Sequence, residues 1–192
     1  PAGQGIELLN RKNRRLQDVE QTVESPSSML PYKVRTAPAP SMKGLTDIAG
    51  IKVGHASDYE ALTGCTAILC EAGAVAGGDI RGGATGTEEF DLLSPLHLTE
   101  RIHAVLLAGG SAFGLEAAAG VRRYLEQKGV GFATSAAKVP LVVGAILYDL
   151  AIGKPSVRPT REMGEAAAAA ASADAGREGC VGAGPGAPVG KI

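Results

Sequence analysis

Three short stretches of this 192-residue chain hold the side chains best suited to chemistry. The first is the run Val181-Gly182-Ala183-Gly184-Pro185-Gly186-Ala187-Pro188-Val189-Gly190-Lys191-Ile192, in which much of every second position is glycine. Glycines at this density let a backbone turn tightly and approach another group closely, which suits a site lining better than a packed core. Lys191 would bring one positive charge there, and a partly buried lysine can serve as acid, base or charge stabiliser. The second stretch is Gly109-Gly110-Ser111-Ala112-Phe113-Gly114, between a predicted strand and a predicted helix. Its backbone N–H groups could hold a carboxylate or a developing oxyanion, so Gly110, Ser111, Ala112 and Phe113 are candidate substrate-binding residues. Ser111 reads first as a helix N-cap, with a substrate-lining role as the alternative. Its surroundings do not follow the G-x-S-x-G spacing of a nucleophile elbow. The third is Tyr148 near the end of an apolar run, followed by Asp149. Its hydroxyl reads either as a core group with one partner or as a catalytic hydrogen-bonding group.

Other chemistries find little support. The turn Gly77-Gly78-Asp79-Ile80-Arg81-Gly82-Gly83 has the strand-then-glycine setting of a phosphate loop, but neither the Walker lysine–hydroxyl pair nor the dinucleotide fingerprint is present. An Asp79–Arg81 pair that shapes this turn is the simpler reading. His55, His97 and His103 lie in three different elements with no i,i+4 pair, so no metal site is expected. Cys65, Cys70 and Cys180 have no metal-ligand spacing and read as small apolar residues, with Cys65 and Cys70 on opposite faces of one strand. A net charge of −1 with 20% charged residues offers no basic field for nucleic acid or a membrane surface. No apolar run is long enough to span a bilayer, and a cytoplasmic setting without a cofactor is expected.

The elements that would position these residues follow an α/β pattern from Leu45 onward. Strands are expected at Ile51–Val53, Thr66–Leu69, His103–Ala108, Val130–Ala133 and Leu141–Leu150. Helices are expected over Ser94–Arg101, from Ser111 to about Lys128 with Gly129 as the stop, and over Arg161–Ala175. The six alanines 166–171 suit a helix in close contact with its neighbour. Residues 1–41 are charged and poor in apolar side chains, with a Pro-Ala-Pro at 38–40. They read as a poorly ordered extension or linker, with an amphipathic interaction arm as the competing reading.

Taken together, the segments resemble the self-processing N-terminal-nucleophile hydrolases that include L-aminopeptidase/D-esterase, β-peptidyl aminopeptidase and 6-aminohexanoate (nylon) oligomer hydrolase. The resemblance is carried by Gly44-Leu45-Thr46-Asp47-Ile48-Ala49-Gly50-Ile51-Lys52-Val53-Gly54-His55, Thr63-Gly64-Cys65-Thr66, Asp79 through Glu88, Leu107 through Ala118, Ala145 through Leu150 and the terminal glycine run. It covers about residues 44–192. It implies a four-layer αββα sandwich, two packed sheets flanked by helices, with residues 42–192 as the larger, N-terminal (α-subunit-like) part. It also implies cleavage into two chains, the second beginning with a Ser or Thr that attacks an amide. That residue's own α-amine, with a pKa near ~8, would be the base. Tyr148 and Lys191 match active-site positions of the family, and their separation fits the nylon-oligomer branch.

The family's oxyanion-hole asparagine and its nucleophile match no residue here. The sequence therefore leads us to expect the pocket of a peptide or small-amide hydrolase, active with a C-terminal chain that supplies the nucleophile, and a homo-oligomeric assembly. An acyltransferase resembling ornithine acetyltransferase, and an inactive scaffold or binding protein, are the alternative expectations.

Overall fold

The computed structural model describes residues 44–174 and 176–188. The extension expected over 1–41, and Lys191, lie outside the described residues.

Short runs of apolar and β-branched residues build one five-stranded sheet. Its strands are β1 (Lys52–Asp58), β2 (Thr63–Ala74), β3 (Thr87–Glu88), β4 (Ile102–Ala108) and β7 (Val142–Ile146), in the order β1-β2-β4-β7-β3. β4 and β7 run parallel, and the other neighbours are antiparallel. The expected strand Val130–Ala133 contracts to β5 (Phe132–Ala133), which pairs with β6 (Lys138–Val139) as a separate ribbon. The expected strand to Leu150 stops at Ile146, because the following residues turn to meet the loop after β4.

Two helices cover one face of the sheet: α1 (Glu116–Gln127) and α2 (Arg161–Ala169). Register places Cys65, Ala67 and Leu69 opposite Ala108, Leu106 and Ala104 on that face. All six are fully buried beneath Ala117, Ala118, Val121 and Leu125 of α1 and Ala167 and Ala168 of α2. Each buried leucine or valine of such a core stabilises the fold by about 1.5–3 kcal/mol. Burial also pushes the Cys65 thiol up to about 12, which leaves it inert at neutral pH.

Short side chains bring these layers together. A Cβ at Gly164 would collide with the Ala117 carbonyl across the helix pair, and one at Gly54 with the Ala167 carbonyl. α2 starts where Thr160 Oγ1 accepts the Met163 N–H at 3.3 Å, a cap worth about 1 kcal/mol. It ends earlier than expected because Ser172 pairs with Val53, through bonds of 3.0 and 3.1 Å. No helix forms over 94–101. A single turn stands there with Leu96 and Leu98 exposed, and so short a segment without a packed face does not hold a helix.

The opposite face of the sheet is different. Val53, His55, Thr66, Ile68, Leu107 and Ala145 project from it, and among the described residues no layer of strands or helices covers them. Leu107, in the middle of a central strand, is 40% exposed. The described residues thus supply a sheet and one helical layer.

Candidate active site

The loop after β4 is held by an unusually buried acid. Asp149 is 3% exposed, and charged side chains reach that depth only when paired. Its Oδ1 accepts the Gly110 N–H at 2.6 Å, and its Oδ2 accepts the Thr63 hydroxyl at 2.8 Å. Neighbouring glycines make room for it. A Cβ at Gly109 would strike the carboxylate, and one at Gly186 would come within 2.6 Å of the Asp149 Cβ. One buried carboxylate therefore bonds the loop at 110 to the start of β2 from the segment around Tyr148, with the glycine-rich run near 186 packed close against it.

This tie fixes an uncommon backbone. Gly110 has φ +81°, natural for glycine, and Ser111 follows at φ +55°, a left-handed conformation sparsely used by other residues. A residue held this way costs about 1–3 kcal/mol and persists only where its surroundings determine it. Here the Ser111 N–H donates to the Leu147 carbonyl at 2.9 Å, and the Leu147 N–H to the Ala108 carbonyl at 2.8 Å. Ser111 is not the expected side-chain N-cap. Gly110 occupies the cap position, Ser111 already lies inside a 3₁₀ turn spanning Ser111–Leu115, and no side chain caps it.

Gly110 and Ser111 are thus held beside the chain at Tyr148 by the backbone bond to Leu147 and by the side-chain carboxylate of Asp149. Gly110 is buried, Ser111 half-buried, and Ala112, Phe113 and Tyr148 exposed. The guanidinium of Arg158 lies 4.0 Å from the centre of the Phe113 ring. The Arg81–Asp79 pair expected in the first glycine turn forms at 2.5 Å, but in open solvent, where such pairs contribute little.

The glycine-rich run docks elsewhere as well. The Gly182 N–H donates to Ser57 Oγ at 2.7 Å, and the Ala183 N–H to Thr66 Oγ1 at 3.4 Å. His55 Nδ1 lies 3.0 Å from the same Thr66 hydroxyl. Burial lowers the pKa of His55, partly opposed by a hydrogen bond with the Arg177 backbone. The run, the turn at 44–47 and the uncovered sheet face enclose a groove of about 690 Å³. Ser111, Phe113 and Tyr148 are not among its lining residues. Its floor is sheet face, and Leu147, whose carbonyl accepts the Ser111 N–H, lines its edge beside the wall built around Asp149.

Sequence reasoning missed Asp149, Thr63 and the Ser57–Thr66 anchor. Asp149 had one visible signal, an acid placed directly after an apolar strand. Its partner Thr63 lies 86 residues away, a distance no spacing rule reaches. Among the described residues, no three His, Cys, Asp or Glu side chains come together in a group suited to a metal ion. No helix among them is long and apolar enough to cross a membrane.

Residues 43–192 match the sequence pattern of Peptidase family S58. A Mycobacterium tuberculosis protein named as an uncharacterized aminopeptidase is 44% identical over 144 residues, which cover 69% of this chain and 41% of that protein. The 6-aminohexanoate-oligomer endohydrolase of Kocuria sp. is 36% identical over 149 residues, covering 76% of this chain and 39% of that protein. Among solved structures, the L-aminopeptidase D-Ala-esterase/amidase of Ochrobactrum anthropi superposes with a TM-score of 0.59 at 20% identity, over 73% of this chain and 44% of that one. That protein is described as a variant of the Ntn hydrolase fold. The chain spans less than half the length of these curated relatives.

Proposed function

Because the chain belongs to peptidase family S58, we propose that it forms the substrate-binding part of an amide or peptide-bond hydrolase that works with a companion segment carrying an N-terminal Ser or Thr nucleophile. The observation that carries this reading is the buried Asp149 carboxylate, which holds the Gly110–Ser111 loop beside Tyr148 at 2.6 Å from the Gly110 N–H. The uncovered apolar sheet face supports the companion, since a second sheet packed on Val53, Ile68 and Leu107 would complete the αββα sandwich.

In this mechanism the companion's α-amine takes the proton of its own hydroxyl, and the hydroxyl oxygen attacks the amide carbonyl. The oxygen of that carbonyl becomes an oxyanion, the amine leaves with a proton, and water then releases the acyl group. Gly110, Ser111, Ala112 and Phe113 bind substrate, and the Tyr148 hydroxyl donates a hydrogen bond at the reacting group. Lys191 stabilises developing charge. The relatives' names, aminopeptidase and oligomer endohydrolase, favour hydrolysis over acyl transfer. A cytoplasmic setting and a homo-oligomeric assembly belong to the same reading, the first supported by three free cysteines.

The test is intact-mass analysis and an amide-hydrolysis assay of the protein produced from its intact gene. Two stoichiometric polypeptides, the second beginning with Ser or Thr, together with release of p-nitroaniline from an aminoacyl p-nitroanilide, are expected. Replacing that Ser or Thr by Ala should abolish both cleavage and activity. Full activity from an uncleaved chain contradicts the reading.

A further inference from the structure

Arg158, whose guanidinium lies against the substrate-binding Phe113, has no role in the mechanism just described. Arg158 leaves an exposed loop and is followed by Pro159, which is fully buried, so its backbone is anchored. The chain at 158–159 lies directly against the catalytic-loop candidate: a Cβ at Gly110 would come 2.8 Å from Pro159 Cδ and 3.2 Å from Arg158 Cβ. Phe113, which receives the guanidinium, is 56% exposed and lies two residues beyond Ser111.

Among the described residues, Arg81, Arg122, Arg123 and Arg161 each meet a carboxylate. Arg158, like Arg101 and Arg177, shows no ion pair among the described residues, and it donates to the Pro155 carbonyl at a long 3.4 Å. The Arg158 guanidinium lies 4.0 Å from the Phe113 ring centre, close enough for a cation–π attraction that limits where it can move. A guanidinium carries a planar fork of N–H donors that matches a carboxylate in two parallel bonds.

We propose that Arg158, positioned by Phe113, binds a carboxylate of the substrate, so that the preferred substrates are amides that carry a free carboxylate. This rests on the hydrolase reading given above. The site adds specificity rather than chemistry. It lowers KM for carboxylate-bearing amides and leaves their uncharged counterparts alone.

The test uses the protein from its intact gene, with L-alanyl-L-alanine, L-alanyl-L-alaninamide and L-alanine p-nitroanilide as substrates. Arg158→Gln should raise KM for the free dipeptide by about ten- to a hundredfold, the range of a lost charge-assisted hydrogen bond. The carboxamide and the anilide should be unchanged, and Arg158→Lys should recover only part of the loss. An equal change on all three substrates, or none, overturns the proposal. If the wild-type protein cleaves none of them, the hydrolase reading fails, and calorimetric titration decides the Arg158 site. Binding of N-acetyl-L-alanine but not its carboxamide, lost in Arg158→Gln, supports the site; equal binding of both, or of neither, overturns it.

Discussion

The two faces of the sheet are built from the same strands and meet different fates. On one, Leu69, Leu106 and Val142 are fully buried under α1 and α2. On the other, Val53, Ile68 and Leu107 stand in a groove with no covering layer among the described residues. Strand alternation alone sends neighbours Leu106 and Leu107 to these opposite faces. A sheet that is apolar on both sides calls for a layer on both sides. The helical face holds the fully buried core, and the open face keeps apolar side chains without a covering layer among the described residues.

The largest expected effect lies on the covered face. Leu106→Ala removes a side chain with no exposed surface and should cost about 2–5 kcal/mol, read from a denaturant midpoint. Leu107→Ala should cost much less wherever the open face stays uncovered, and a comparable amount once the companion packs on it. Equal costs in the uncovered state would break the comparison.

Next comes the seam between the faces. Asp149→Ala leaves the buried Gly110 N–H and Thr63 hydroxyl without their acceptor, a loss of about 1–3 kcal/mol for each group stranded. Because the left-handed turn at Ser111 depends on that bond, kcat should fall further than stability alone explains. Asp149→Asn keeps an acceptor for Gly110 and should be milder in both. A variant that lost stability but kept kcat would reduce Asp149 to a packing residue.

The smallest effect is with pH. Burial holds the pKa of His55 on the open face, and of His103 in β4, below 6.5. Below 6.5 the unfolded chain takes up protons that the folded histidines refuse, so stability is full above that value and declines as pH falls toward the folded pKa values. His103 also accepts the Leu141 N–H at its Nδ1, a bond that protonation breaks. Denaturant midpoints at pH 7.5 and 5.5 should differ, and His55→Gln with His103→Gln should flatten the difference. An unchanged slope would remove both histidines from the account.

Much of the fold was legible in the chain because its signals are local. Short apolar and β-branched runs marked β1, β2 and β4, and Gly129, at φ +66°, marked the end of α1. The opposed faces of Cys65 and Cys70 followed from strand alternation. The failures were tertiary. α2 stops at Ala169 because Ser172 pairs with Val53, more than a hundred residues away in sequence. Ser94–Arg101 has a good helix start but nothing to pack against. At the site, the glycine-rich segments and Tyr148 stood out by composition, whereas Asp149 and Thr63 gain meaning only when the fold brings them to 2.8 Å.

In the proposed hydrolase the open sheet face is covered by the segment that brings the nucleophile. Leu107→Asp, made in the intact gene, tests it most directly, because one charge placed in that groove would have to be buried on assembly. The two processed chains of the wild type should co-elute as one species in size-exclusion chromatography. In the variant, the chain that carries the sheet should separate from the nucleophile-bearing chain, with amide hydrolysis lost. A Leu107→Asp protein that keeps both the assembly and its activity would contradict the account.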